Sequence, residues 1–353
     1  MKKFLKDDVL ELIKRYKRAK TDKDKILCAS DFSNFLDAAS HFDCDFNIKA
    51  EIPGELAIMI ENLEESLKEE RDDFTKQIYD HLDELENLYL TFIREIRKYG
   101  FEYKDTNLEE DLDLDNYYEF FKQFSNMAEE FKKIISNEQL FIVEGNNAGS
   151  TINFKVLNKQ YVFISLNDFA FASRGLAHEM GHVHAFNITY DDKVDDFNFM
   201  TEFMSFLIEL SYINSENSKL TNQDNINVIY ILGLLVYQSL GQVRLMKKHK
   251  DAFQTFVLNS KYKEELDTLC RVNYDCCRNE LYSQLYTIDY LLAISYYYQL
   301  KYGVDFNEIE KFYIENNCKN DLSTILKYID MGAVKQYLNE LHFNRETKKK
   351  IIK

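Results

Sequence analysis

Two histidines four residues apart, with a glutamate beside the first, occur at His178-Glu179-Met180-Gly181-His182. On a helix, residues at i and i+4 lie one above the other on one face, so both imidazoles can reach a single ion. Zinc suits such a pair, taking imidazole nitrogen at about 2.0–2.1 Å. Glu179 is offset by one position and can take the proton of a zinc-bound water, as a general base must. The metal would lower the pKa of that water towards about 7 and polarise a carbonyl. The spacing predicts a hydrolytic centre with one Zn²⁺ per chain and Glu179 as its base.

Such a centre needs a third protein ligand and one open position. Glu202, twenty residues after His182, opens the run Glu202-Phe203-Met204-Ser205-Phe206-Leu207-Ile208-Glu209-Leu210. Two antiparallel helices joined by a loop of about this length would carry its carboxylate to the histidines. The polar segment Asn187 to Asp196 suits that loop, and its Asp191, Asp192, Asp195 and Asp196 are rival ligands without helical registration. Glu209, two turns beyond Glu202, faces the same side and could accept an N–H from a ligand histidine. His184 points to another face of the motif helix. The remaining histidines, His41, His81, His249 and His342, are isolated.

The rest of the chain must position these groups. Its 353 residues include one proline and ten glycines, so breakers are scarce and long helices should dominate. Apolar residues recur at three- and four-residue steps from Leu56 to Tyr99, between Pro53-Gly54 and Gly100. That predicts one long helix, or two with a break near Arg71. A second helix is expected from Leu114 to Ile135, with Asp113 or Asp115 as N-cap. Gln139 to Glu144 is a strand candidate, while Thr151–Leu157 and Gln160–Leu166 alternate in period two around Asn158-Lys159, as a hairpin would. Beyond Ser173, a candidate N-cap, the helical period resumes to about residue 342. The expected fold is mainly α with one small β-sheet beside the motif helix. It comprises an N-terminal helical region, 1–137, and a catalytic region, 138–353.

Composition narrows the partners. The net charge of −16 leaves no basic face for nucleic acid, and Lys348 to Lys353 reads as a solvated tail. The most apolar run, Val228 to Leu240, is too short to span a bilayer and reads as a buried helix. Cys28, Cys44, Cys270, Cys276, Cys277 and Cys318 form neither a Cys-x-x-Cys pair nor a disulfide framework. The first residues lack the apolar stretch of a signal peptide. A cytoplasmic protein that binds neither nucleic acid nor membrane is expected.

Three segments resemble a known family. Tyr161 to Asn167, Leu176 to His182 and Glu202 to Glu209 look like the thimet oligopeptidase and oligoendopeptidase F family of zinc metallopeptidases. The resemblance implies a zincin-like fold with long helices around a substrate cleft. It places zinc on His178, His182 and Glu202, gives Glu179 the role of base, and makes short peptides the substrates. It also implies that the strand Tyr161 to Asn167 is a sheet edge to which the peptide adds as a further strand. Tyr282, Tyr286 and Tyr290 recur every four residues, and the family carries tyrosines in a similar segment; Tyr286 and Tyr290 would donate to the oxyanion. The family usually has a histidine shortly before those tyrosines, and this chain has none between His249 and His342. That motivates an alternative, a homologue that binds zinc or peptide without turnover. Another gluzincin, such as an aminopeptidase, is the third reading, but no Gly-x-Met-Glu-Asn-type segment supports it.

Overall fold

A computed structural model of the chain describes residues 2–41, 52–63, 68–104, 112–143, 149–165, 169–189, 198–249 and 282–351. Cys44, Cys270, Cys276 and Cys277, and the rival ligands Asp191, Asp192, Asp195 and Asp196, lie outside these residues. The fold is mainly helical with one three-stranded sheet. In chain order come α1 (Lys2–Arg18), α2 (Asp22–His41), α3 (Gly54–Glu61), α4 (Lys68–Asp80), α5 (Leu82–Tyr99), α6 (Leu114–Phe121) and α7 (Met127–Ser136). The strands β1 (Leu140–Val143), β2 (Gly149–Phe154) and β3 (Lys159–Ser165) precede α8 (Phe169–Ile188). Then follow α9 (Phe203–Ile213), α10 (Asn222–His249), α11 (Tyr282–Lys301), α12 (Phe306–Asn317), α13 (Leu322–Lys327) and α14 (Met331–Ile351).

The chain divides into two compact units. The first takes Met1–Arg71, Asn107–Asp196 and Asn214–Asn217; the second takes Asp72–Thr106, Phe197–Ile213 and Ser218–Lys353. Each unit is therefore assembled from separate stretches of sequence.

In the first unit the sheet runs in the order β1-β3-β2. β3 pairs parallel with β1, Leu140 opposite Val162, and antiparallel with β2, Gly149 opposite Ile164 and Thr151 opposite Val162. Tyr161 to Ser165 is buried throughout, as expected of a strand covered on both faces. Phe141, Ile152, Phe154, Tyr161 and Phe163 share a core with Leu5, Val9, Phe32 and Leu56 of α1 to α3. The alternate residues Gly149, Thr151, Val162 and Ile164 fall on the other face, and α8 packs against β2 and β3. At the heart of the first face, Phe163 stacks on Phe141 with centroids 4.9 Å apart. Phe163→Ala is expected to cost about 3–5 kcal/mol, read from the denaturant midpoint at constant m. A loss below about 1 kcal/mol would mean the stack is not part of the core.

Four expectations need correction. Arg71 marks no break, since it lies inside α4; the break falls at His81, between α4 and α5. The strand from Tyr161 is not an edge: β3 is central, with both sides paired, and cannot take a further strand. The edge strand against α8 is β2 (Leu166 and Asn167 lie outside the described residues). The helix expected over 114–135 is two, α6 and α7, interrupted where Ser125 adopts φ 20°. The apolar spacing survives the break because Phe120, Phe121, Phe124, Met127 and Phe131 all stay buried. Ser173 does not begin α8, which starts at Phe169; Tyr117 Oη donates to its carbonyl at 2.6 Å. Other signals hold: Asp113 caps α6 by accepting from Asn116 N–H, and Gly100 ends α5 in the left-handed region.

The hairpin turn is tied to α2. Asp31 accepts the backbone N–H groups of Val156 at 2.9 Å and Lys155 at 3.2 Å. Burial pushes its carboxyl up to about 7, against the lowering effect of those two bonds.

In the second unit α11 packs against α9, α10 and α14, and α5 against α10 and α14. Over Asn222–Lys248, α10 is long and apolar enough to cross a membrane, but 72% of its most apolar window is buried, as in a core helix. Some of the buried polar side chains on these helices are paired across them. Tyr89 Oη on α5 donates to Gln284 Oε1 at 2.6 Å, and Gln284 Nε2 donates to the carbonyl of Ser239 at 2.8 Å.

Candidate metal centre

His178 and His182 stand on successive turns of α8, their ring centroids 5.0 Å apart with the planes at 76°. Both are half-buried, so their rings are neither sealed in the core nor free to sweep through solvent. His184, two residues on, is fully buried on another face, its Nδ1 2.8 Å from Glu130 Oε2 of α7. That pair fixes the roll of α8 about its axis, and hence the direction of the histidine face.

Glu179 is buried and turns towards the sheet. The Thr151 hydroxyl of β2 lies 2.7 Å from Glu179 Oε2 and 3.1 Å from the Glu179 carbonyl oxygen. Gly149, two residues earlier on the same face of β2, meets the same carboxylate. A Cβ there would stand 2.8 Å from Oε1 and 2.9 Å from Cγ. The helix carrying the candidate base therefore rests against an edge strand at the base itself.

In the second unit, Glu202 immediately precedes α9 and is buried. Its backbone N–H donates to Asp289 Oδ2 of α11 at 2.8 Å. Ser205 Oγ lies 2.8 Å from the Glu202 carbonyl oxygen and 3.3 Å from Oε2. Burial holds the Asp289 carboxyl well above the usual carboxylate range; the bond from Glu202 N–H opposes this, and the Glu202 charge adds to it. Glu209 is buried further along α9. Tyr286 and Tyr290 of α11 both pack on Phe206 of α9, at centroid distances of 5.6 and 4.7 Å. Tyr286 and Tyr290 thus face the helix that Glu202 precedes. Tyr290 is buried and Tyr286 partly so.

His178 and His182 of the first unit and Glu202 of the second are each of a type that can ligate a metal ion, offering one ligand atom apiece. Two imidazoles and one carboxylate fit zinc, whereas calcium and magnesium favour oxygen donors. Three protein donors also leave the fourth position of a tetrahedral ion open.

Among solved structures, the chain is similar to Pz peptidase A with an inhibitor, at 13% identity and a TM-score of 0.47, covering 79% of this chain and 58% of that one. It is also similar to a protein provisionally named oligoendopeptidase F, at 13% identity and a TM-score of 0.48, covering 77% of this chain and 57% of that one. The chain thus spans under three-fifths of the length of either structure. No family model and no curated protein matches the sequence.

Two residues at the candidate site carry no sequence signal of their own, and a third carries a faint one. Thr151 and Gly149 look like ordinary hairpin residues until the sheet turns that face to α8. Asp289 gave one faint sign: it is an aspartate within the largely apolar stretch Leu285 to Ile294.

Proposed function

We propose that the chain is a zinc-dependent peptidase acting on short peptides, with His178, His182 and Glu202 holding the metal and Glu179 as general base. The observation that carries this reading is the arrangement on α8. Its two histidines share one face, while the adjoining glutamate is buried against β2, an edge strand of the sheet among the described residues. An extended peptide added to that edge would run past Glu179, held by main-chain hydrogen bonds that care little for side-chain identity. Zinc, when bound, supplies Lewis acidity towards the scissile carbonyl and lowers the pKa of a water ligand. Glu179 takes a proton from the attacking water and passes it to the leaving amine. Tyr286 and Tyr290 are the candidates to donate to the developing oxyanion. Asp289, through the backbone N–H of Glu202, fixes where α9 begins and so where that carboxylate starts.

The test is elemental analysis of the purified protein together with digestion of quenched peptides. One zinc per chain is expected, with peptides of about ten residues cut and folded proteins spared, because strand addition needs an unstructured substrate. Digestion of a folded protein as fast as a short peptide would overturn the substrate class.

A further inference from the structure

We infer that Thr151 is a positioning residue that holds the Glu179 carboxylate in its working orientation, and that Gly149 leaves the space this orientation requires. The inference rests on the peptidase reading for its functional consequence, but the geometry stands by itself. A glutamate on a helix surface has rotatable bonds enough to spread its carboxylate over several positions. Here one oxygen is fixed: Thr151 Oγ1 lies 2.7 Å from Oε2, within the range of a hydroxyl donating to a charged acceptor. The second oxygen is confined by the backbone of Gly149, where even a methyl group would come within 2.8 Å of Oε1. The two-residue period of β2 puts both contacts on one face, so a single strand defines both ends of the carboxylate.

The hydroxyl lies closer to the carboxylate, at 2.7 Å, than to the Glu179 carbonyl oxygen at 3.1 Å, so the side chain and not only the helix backbone is what it holds. Valine is as β-branched as threonine and suits a strand at least as well. At 149, the atoms that a Cβ would meet belong to the Glu179 side chain itself. What both residue types have in common is the carboxylate they touch. A base displaced by about an ångström from its proton loses much of its effect, so the predicted signature is a fall in kcat with binding intact.

Thr151→Val, Thr151→Ser and Gly149→Ala would be compared with wild type and with Glu179→Gln on a quenched peptide, with zinc measured on each protein. Thr151→Val is expected to lower kcat by roughly ten-fold at unchanged KM and zinc content. Thr151→Ser, which keeps the hydroxyl, should recover most of that loss. Gly149→Ala keeps Thr151 but crowds Oε1, and should also lower kcat if Thr151→Val proves too unstable to assay. Crystal structures of the wild-type and Thr151→Val proteins supply a readout independent of turnover. The Glu179 carboxylate should hold one position in the former and leave it in the latter. An unchanged carboxylate, or wild-type kcat in both Thr151→Val and Gly149→Ala, would overturn the inference while leaving the peptidase reading intact. Wild-type turnover by Glu179→Gln would instead overturn the peptidase reading, and the two crystal structures would still decide the role of Thr151.

Discussion

Glu179→Gln is expected to lower kcat by about 10²-fold or more while zinc content and thermal stability stay at wild-type values. The amide keeps the length and shape of the side chain, and its oxygen can still accept from Thr151 Oγ1. It cannot take up a proton. The loss should therefore sit in kcat and leave KM nearly unmoved, the mark of an interaction made only in the transition state. Peptide turnover at the wild-type rate by this variant would mean that the hydrolysis arises elsewhere. Zinc bound in full, with wild type and variant alike inactive on many peptides, would favour the binding-protein alternative.

His182→Ala is expected to abolish both metal and activity, and Glu202→Ala to do the same. Removing a ligand takes away a coordinate bond, so the fall in affinity should exceed the roughly 10–100-fold typical of residues that merely orient ligands. Glu209→Ala is the control, because Glu209 is buried on α9 too but is not among the residues proposed as ligands. Titration of each apo protein with zinc, followed by equilibrium dialysis, measures the difference. If Glu202→Ala kept its zinc and Glu209→Ala lost it, the third ligand would be Glu209.

The parts of this centre that sequence revealed are those whose chemistry dictates local spacing. Two imidazoles on one helical face must be four residues apart, and Tyr286 and Tyr290 pack on one helix for the same reason. The sheet was visible as alternation, which tells which residues share a face but not which strand lies beside which. Alternation therefore could not test the edge position that the resemblance implied for β3. The partners that meet across long sequence distances were invisible. Thr151 and Glu179 are 28 residues apart, and Asp289 and Glu202 are 87 apart. Ser173 misled for the opposite reason: its type fits a helix start, but a tertiary contact from Tyr117 was the stronger claim on it.

The bond between Tyr89 and Gln284 joins residues 195 positions apart, and it has a consequence for the protein's birth on the ribosome. Leu85, Tyr89, Phe92 and Ile93 of α5 are buried in the finished unit, partly against α10 and α14, which are made much later. At a synthesis rate of about 5–20 residues per second, α5 waits roughly ten to forty seconds for Gln284 to emerge. Through that interval an amphipathic helix carries a bare apolar stripe in a crowded cell. The helix bears the exposed charges Asp83, Glu84, Arg97 and Lys98 at its two ends, which keep the waiting helix soluble and oppose stacking between neighbouring nascent chains. A nascent chain stalled before α10 should be bound by hydrophobic-stripe chaperones, and one stalled after α11 should be released.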